Sequence, residues 1–413
     1  MGGPASVTVK PYIVVVGGSF VGVRTAQLLA PAFHKTHRIL LIEKNSHFQH
    51  IFAFPRFSVT KGSADPRWEP TSGNKDGSGI IDKRKAFIPF NPGTFKDCPE
   101  GSGWVVQAKA TDFTRNKVKL DRKIELDGIF TDEVPFEFLV IATGARYTPP
   151  STLPTEGKDA GLEYLFNHCS SVEKANKIVI IGGGAVGVQM STDIKELYPH
   201  KDVTLVHSRT QIMNNFHQDL HNVIAERAKT LGINLVLGHR VIIPQEGFPN
   251  DGSVFNVKFL DGGEIPADLA IVSTGQTPNS QFVAQSAPSC VDARGFIKVK
   301  PTLQVVDPAL PHVFALGDVA DTGAHKAARP GWFQADTVVA NIASLLNKES
   351  AARAYVPEPA GIHLSLGINE NVLFTNPADK EKEPVLVHQH NGRLDCFIGD
   401  VWKRRAVGKD YRL

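Results

Sequence analysis

The residues best suited to chemistry gather at two glycine-rich turns. The first reads Val16-Gly17-Gly18-Ser19-Phe20-Val21-Gly22, and the second Ile181-Gly182-Gly183-Gly184-Ala185-Val186-Gly187. Each follows an apolar β-branched run and opens into a helical pattern, the setting of a dinucleotide fingerprint. Glycine lets backbone N–H groups approach a pyrophosphate, and the helix N-terminus behind them adds partial positive charge. One such turn is weak, because glycine also collects in ordinary turns. Two in the same setting suggest a chain that holds two dinucleotides, as electron transfer between a flavin and a nicotinamide requires.

The strands beyond the two turns end differently. Glu43 ends the strand Arg38-Ile39-Leu40-Leu41-Ile42-Glu43, about 20 residues past the first turn, where a carboxylate accepts hydrogen bonds from an adenosine ribose. Ser19 replaces the middle glycine, and its hydroxyl can itself donate to phosphate. Lys44 and Arg56 join this cofactor-binding set. After the second turn, Val203-Thr204-Leu205-Val206 ends in His207-Ser208-Arg209. Nothing there repels a 2′-phosphate and Arg209 can pair with one, so NADPH is expected to be accepted and NADH not excluded. The competing reading of Arg209 is a solvated cation.

Three further strand ends matter. Leu139-Val140-Ile141 runs into Ala142-Thr143-Gly144, Ala267 to Val272 into the counterpart Ser273-Thr274-Gly275, and Val313-Phe314-Ala315-Leu316 into Gly317-Asp318. An aspartate is a poor choice to end a strand unless it has a partner, and a flavin ribitol hydroxyl would serve. Arg329-Pro330-Gly331 then leads into a helical run whose positive end could face the flavin ring. Lys326 lies between these features, either near the flavin or as a solvated loop lysine.

The elements that must hold these residues need more than one core. At 413 residues, with 42% hydrophobic and 21% charged residues, the chain has ordinary globular composition and room for two or three domains. A net charge of +3 makes no case for nucleic acid. Cys98, Cys169, Cys290 and Cys396 lie far apart, which argues for reduced thiols in an intracellular protein and against relay to a disulfide. The 15 histidines show no metal spacing, and no apolar run approaches a membrane span. The expected class is α/β, with two Rossmann-like dinucleotide-binding domains and a small C-terminal α+β region. Residues 1–148 and 281–352 would form the FAD domain, 149–280 an inserted NAD(P)H domain, and 353–413 the C-terminal region of two or three strands and a basic end. Residues 1–11 read as a lead-in, 62–79 as a polar surface insertion, and Tyr147 to Asp159 as a linker.

This order of elements resembles the pyridine nucleotide–disulfide oxidoreductase superfamily, and within it the apoptosis-inducing-factor-like, ferroptosis-suppressor-like branch with its fungal members. The most specific stretch is Ile178 to Ser208, and the resemblance extends to Gly317-Asp318-Val319-Ala320-Asp321 and Trp402-Lys403. It implies noncovalent FAD, NADPH or NADH as donor, and a quinone as acceptor. The branch usually has Gly-Val-Glu-Met where this chain has Gly187-Val188-Gln189-Met190. Gln189 can still bond a nicotinamide amide but brings no charge. The 62–79 insertion is extra, and the tail beyond 375 matches poorly.

The expected activity is therefore NAD(P)H:quinone oxidoreduction, with Lys326 and Gln189 nearest the chemistry. Two alternatives stand beside it: a tailoring oxidoreductase for one small metabolite, and a redox-controlled cell-death signalling flavoprotein. Met1-Gly2-Gly3-Pro4-Ala5-Ser6 fits the N-myristoylation pattern, and Lys403, Arg404, Arg405, Lys409 and Arg412 could supply the second signal that stable anchoring needs. Reversible attachment to the cytoplasmic face of a membrane, with mitochondrial association also open, is the expectation.

Overall fold

Both glycine turns leave the ends of strands too apolar to face water on either side. In a computed structural model, which describes residues 10–62, 81–379, 382–405, 408 and 410–411, these strands form two parallel sheets. The first runs in the order Val313–Ala315, Phe138–Ile141, Tyr12–Val16, Arg38–Glu43, Gly103–Gln107. Every residue of Tyr12–Val16 is buried, as expected of a central parallel strand covered on both faces. Val14 pairs with Leu40 on one side and Leu139 on the other. Ile13, Val15 and Leu41 face the helices Phe20–Phe33 and Ala328–Leu346, while Val14, Val16 and Leu40 face an antiparallel meander built from 110–135. Within that meander Val118, Leu120, Ile124 and Leu126 turn inward and Lys117, Lys119 and Glu125 outward. Full burial of each such aliphatic side chain is worth ~1.5–3 kcal/mol.

The second sheet runs Asn234–Leu237, Asp202–His207, Lys177–Ile181, Leu269–Val272, again all parallel. Ile178, Ile180, Val203 and Leu205 pack under the helices Ala185–Leu197 and Gln218–Leu231. The other face is covered more thinly, by the hairpin of Phe255–Lys258 and Glu264–Ala267.

The chain passes from the first sheet to the second and back through two short strands, Ala145–Tyr147 and Gln276–Pro278, paired antiparallel. The segment expected as a linker over 147–159 thus begins inside this ribbon and ends in the helix Lys158–Lys174. Tyr147 is held there because Gln276 stands opposite it.

Among the described residues the C-terminal strands number three, Gly361–Ser365, Asn371–Thr375 and Val385–Gln389, in one antiparallel sheet. Leu364, Val372 and Phe374 join the core of the second sheet. The helix of this α+β region, Ile398–Arg405, comes after them, where the sequence alone suggests only a basic end. Its apolar residues Ile398, Val401 and Trp402 fall at helical spacing and enter the core of the first sheet, with Trp402 Nε1 donating to Lys85 O at 2.7 Å. The tail therefore bridges both units. No helix among the described residues is long and apolar enough to cross a membrane. Gly2, Ser6, Lys409, Arg412 and the insertion beyond Gly62 lie outside the described residues.

Candidate functional site

A cleft of about 1920 Å³ separates the two sheets, and both glycine turns, the crossover ribbon and the C-terminal sheet open onto it. At the first turn Gly17 adopts φ +107°, a conformation a side chain would strain. A Cβ at Gly22 would fall on the Gly17 carbonyl, so the Phe20–Phe33 helix starts hard against the turn. Ser19 stands at its N-cap without a side-chain hydrogen bond, leaving the first amides open to the cleft that Phe20 and Val21 also line. Gly18 N–H donates to Glu43 Oε2, while Glu43 Oε1 accepts from Asn45 N and Nδ2 at 2.8 and 2.7 Å. Burial pushes the Glu43 carboxyl up, against the hydrogen bonds from Asn45 and Gly18.

Across the cleft floor lie Ala142, Thr143 and Gly144, tied to the crossover ribbon by Thr143 Oγ1 donating to Asn279 O (2.7 Å) and Asn279 Nδ2 to Thr143 O (2.9 Å). Gly317 N–H donates to Gln334 Oε1 at 2.7 Å, which aims the Gly-Asp turn. The Asp318 carboxylate beside it has only the Tyr147 hydroxyl as a hydrogen-bond partner among the described residues, at 3.3 Å. Burial pushes its pKa up, and Lys326 and Tyr147 pull it down. Lys326 lines the cleft with its ammonium on Ala320 O and over the Phe296 ring, 4.7 Å from the centroid, and burial lowers its pKa. The Ala328–Leu346 helix begins at the cleft with no side-chain cap.

The second turn repeats the first. Gly182 has φ +123°, a Cβ at Gly187 would fall on the Gly182 carbonyl, and Gly184 caps the Ala185–Leu197 helix without a side-chain bond. Here Gly183 N–H donates to His207 Nδ1 at 3.1 Å, and burial lowers the His207 pKa. Ala185, Val186, Gln189, His207 and Gly275 line the cleft; Arg209 lies one residue beyond its wall, exposed and without an ion pair among the described residues. Lys44 also lines the cleft, 3.6 Å from Glu156 Oε1.

Arg56 lines the cleft too, but its guanidinium is committed elsewhere. It grips Asp193 through Nε (2.9 Å) and Nη2 (2.8 Å) and donates to Arg393 O and Gly367 O. The pair is buried, with 2% and 0% of the side chains exposed, and joins the first unit to the second and to the tail. Four groups on the cleft escaped the sequence reading. Tyr147 and Gln276 carried no spacing signal, Tyr147 at the start of the expected linker and Gln276 just past the Ser273-Thr274-Gly275 turn. Leu373 and Val387 alternate as strand residues do, but which face would be covered depends on a sheet that packs on another unit.

The residues present fit a dinucleotide at each turn. Uncapped amides, close glycine packing and a strand-end side chain converge twice on one cleft, and Asp318 offers a carboxylate with little competition. A thiol mechanism does not fit: all four cysteines are free, and burial holds the one on the cleft, Cys396, protonated by pushing its pKa up to about 12.

The chain is similar to known proteins along most of its length. Fe-regulated protein 8 of Mycosarcoma maydis is 32% identical over 96% of this chain and 96% of its own length. Ferroptosis suppressor protein 1 of Mus musculus is 29% identical over 90% of this chain and 91% of its own. The sulfide:quinone oxidoreductase of Aquifex aeolicus shares the fold, with a TM-score of 0.70 at 16% identity over 96% of this chain and 92% of that one. The family model of the pyridine nucleotide-disulphide oxidoreductases matches residues 12–335, and the chain belongs to that family, as an FAD-dependent NAD(P)H oxidoreductase of its apoptosis-inducing-factor-like branch.

Proposed function

We propose that this protein is an NAD(P)H:quinone oxidoreductase, and one observation carries the acceptor class. The C-terminal sheet turns one face to the second core and the other to the cleft. On the cleft face His363, Leu373 and Val387 form one cross-strand row, with Gly361, Thr375 and Val385 in the next. Leu373, Val385 and Val387 are 37%, 59% and 44% exposed, and Phe52, also on the cleft, is 52% exposed, so large apolar side chains are left bare in its lining. Such a wall suits a flat apolar acceptor better than a charged metabolite.

In this reading residues 1–148 and 281–352 hold the flavin and 149–280 the nicotinamide nucleotide. Bound flavin would supply the two-electron exchange between nicotinamide and acceptor. The chain's own residues bind and orient. The open amides behind Gly17 to Val21 and behind Gly182 to Val186 receive the two pyrophosphates. Glu43 accepts from an adenosine ribose and Asp318 from a ribitol hydroxyl. Lys326 brings positive charge to the flavin side, and Gln189, whose side chain also hydrogen-bonds the buried Asp193, offers the rest of its amide to the nicotinamide. Arg209 pairs with a 2′-phosphate.

The test is steady-state oxidation of NADH and NADPH by the yellow holoenzyme, with menadione and short-chain ubiquinones as acceptors. Quinone-dependent rates well above the oxygen background, weakened in Leu373→Ser and Val387→Ser, are expected. Oxidation that no quinone accelerates would overturn the assignment. Lipidation of Gly2, with Lys403 and Arg404 as the electrostatic partner, is the accompanying proposal for how the enzyme meets such an acceptor; Arg405, expected to share that role, instead turns inward over the Phe48 ring. Membrane pelleting of the native protein that persists in Gly2→Ala would refute it.

A further inference from the structure

Tyr147 and Gln276 are directly opposed residues of the two crossover strands, so their side chains leave the ribbon on the same face. The Tyr147 hydroxyl lies 2.9 Å from Gln276 Oε1 and 3.3 Å from Asp318 Oδ2. One phenol thus spans both strands of the only antiparallel ribbon joining the two parallel sheets among the described residues, and reaches the carboxylate at the end of a third strand. The hydroxyl has a single proton to donate. Directed to the Asp318 carboxylate, the stronger acceptor, it leaves the phenol oxygen free to accept from the Gln276 amide, whose oxygen and nitrogen exchange places on a flip.

Asp318 has no other directed bond among the described residues. Lys326 contributes charge, but its ammonium is bound to Ala320 O and rests over Phe296, so it does not select a rotamer of the carboxylate. Charge without direction stabilises an anion wherever it points; a hydrogen bond fixes where it points. We propose that Tyr147 is a positioning residue: its hydroxyl orients the Asp318 carboxylate toward the flavin and, through Gln276, ties that orientation to the strands that carry the nicotinamide-binding unit. The inference rests on the reading of Asp318 as a flavin ligand.

Tyr147→Phe keeps the ring against the cleft and removes only the oxygen, so it separates hydrogen bonding from packing. The measurement is flavin release from the diluted holoenzyme, followed by fluorescence, for Tyr147→Phe, Asp318→Asn and the double variant. A lost hydrogen bond to a carboxylate should raise the flavin Kd about tenfold in Tyr147→Phe. If Tyr147 acts through Asp318, the double variant releases flavin no faster than Asp318→Asn, within about twofold. A pH series adds a readout that packing would not move. Tyr147 lowers the Asp318 pKa, together with Lys326, which is itself surrounded by Asp321, Arg294 and Asp292. Removing the hydroxyl should therefore move the acid limb of flavin affinity to higher pH. Wild-type affinity in Tyr147→Phe alongside weakened binding in Asp318→Asn would overturn the positioning role, as would strictly additive effects. Unchanged binding in Asp318→Asn would overturn the flavin assignment of Asp318 and this inference with it.

Discussion

The two glycine turns are built to one plan and finished with opposite chemistry. In each, the second glycine donates its N–H to the side chain that ends the following strand: Gly18 to Glu43, and Gly183 to His207. In each, a Cβ on that glycine would press against the same side chain, 2.7 Å from Glu43 Cβ or 2.8 Å from His207 Cγ. The backbone fit is thus common to both turns, and the strand-end residue sets what each tolerates. A carboxylate in this place welcomes ribose hydroxyls and repels a 2′-phosphate. An imidazole kept neutral by burial does not. On the proposed reading, the shared plan serves two nucleotides and the exchanged residue bears on which nucleotide each turn accepts.

The largest effect should come from separating the two units. Arg56→Ala would leave Asp193 buried without its partner, at a cost of ~3–5 kcal/mol. Thermal unfolding should fall sharply and lose cooperativity between the units. An unchanged melting temperature with simple loss of flavin would instead make Arg56 a cofactor ligand.

Breaking one turn at a time comes next. Gly18→Val should abolish flavin retention, because the new side chain meets Glu43 and the strand end has no room to yield. Gly183→Val should leave the protein yellow but unable to bind NAD(P)H, as read by absorbance and by nucleotide titration. Loss of flavin from both variants would mean that the turns do not serve separate cofactors.

His207→Glu would give the second turn the ending of the first. Juxtaposed like charges cost several kcal/mol, so the NADPH Michaelis constant should rise ~100-fold while that for NADH stays within a few-fold. Equal losses for both nucleotides would show that the strand end does not read the 2′ position. Arg209→Ala tests the same position from the attractive side, with a rise of about tenfold expected for NADPH alone.

Much of this was legible in the sequence because the signals are local. Val14 to Gly22 and Ile178 to Gly187 place an apolar strand, a turn and a helix in contiguous residues, and Glu43 and His207 come after them at a spacing set by one helix and one strand. The hidden part depends on pairing between distant segments. Tyr147 matters only because Gln276 returns beside it, and Arg56 meets Asp193 far along the chain. The Ile398–Arg405 helix has three apolar residues among charged ones, too short a pattern to stand out until Trp402 finds Lys85 O. The apolar cleft wall looked like an ordinary strand, since Leu373 and Val387 alternate as core residues would and only packing of the opposite face leaves them bare.

The smallest expected effect is also the one most specific to the second turn. His207 is neutral near pH 7 because burial lowers its pKa; Arg209 lowers it further, while Asn214 and Gln211 act in the other direction. The ring takes up a proton only by giving up the Gly183 N–H bond to Nδ1, and a 2′-phosphate beside it would offset that loss by favouring the charged form, so binding NADPH takes up a proton and binding NADH does not. Since the free imidazole has the lowered pKa, this gain grows as pH falls below neutrality. The ratio of NADPH to NADH specificity should therefore rise about two- to threefold between pH 8 and pH 6. His207→Gln keeps a polar side chain at the strand end and cannot titrate, so its ratio should lose this rise and keep only the opposite trend of the 2′-phosphate, whose second ionisation falls near pH 6. A rise that survives in His207→Gln would assign the titration to another group, and a flat ratio in the wild type would show that the imidazole does not face the 2′ position.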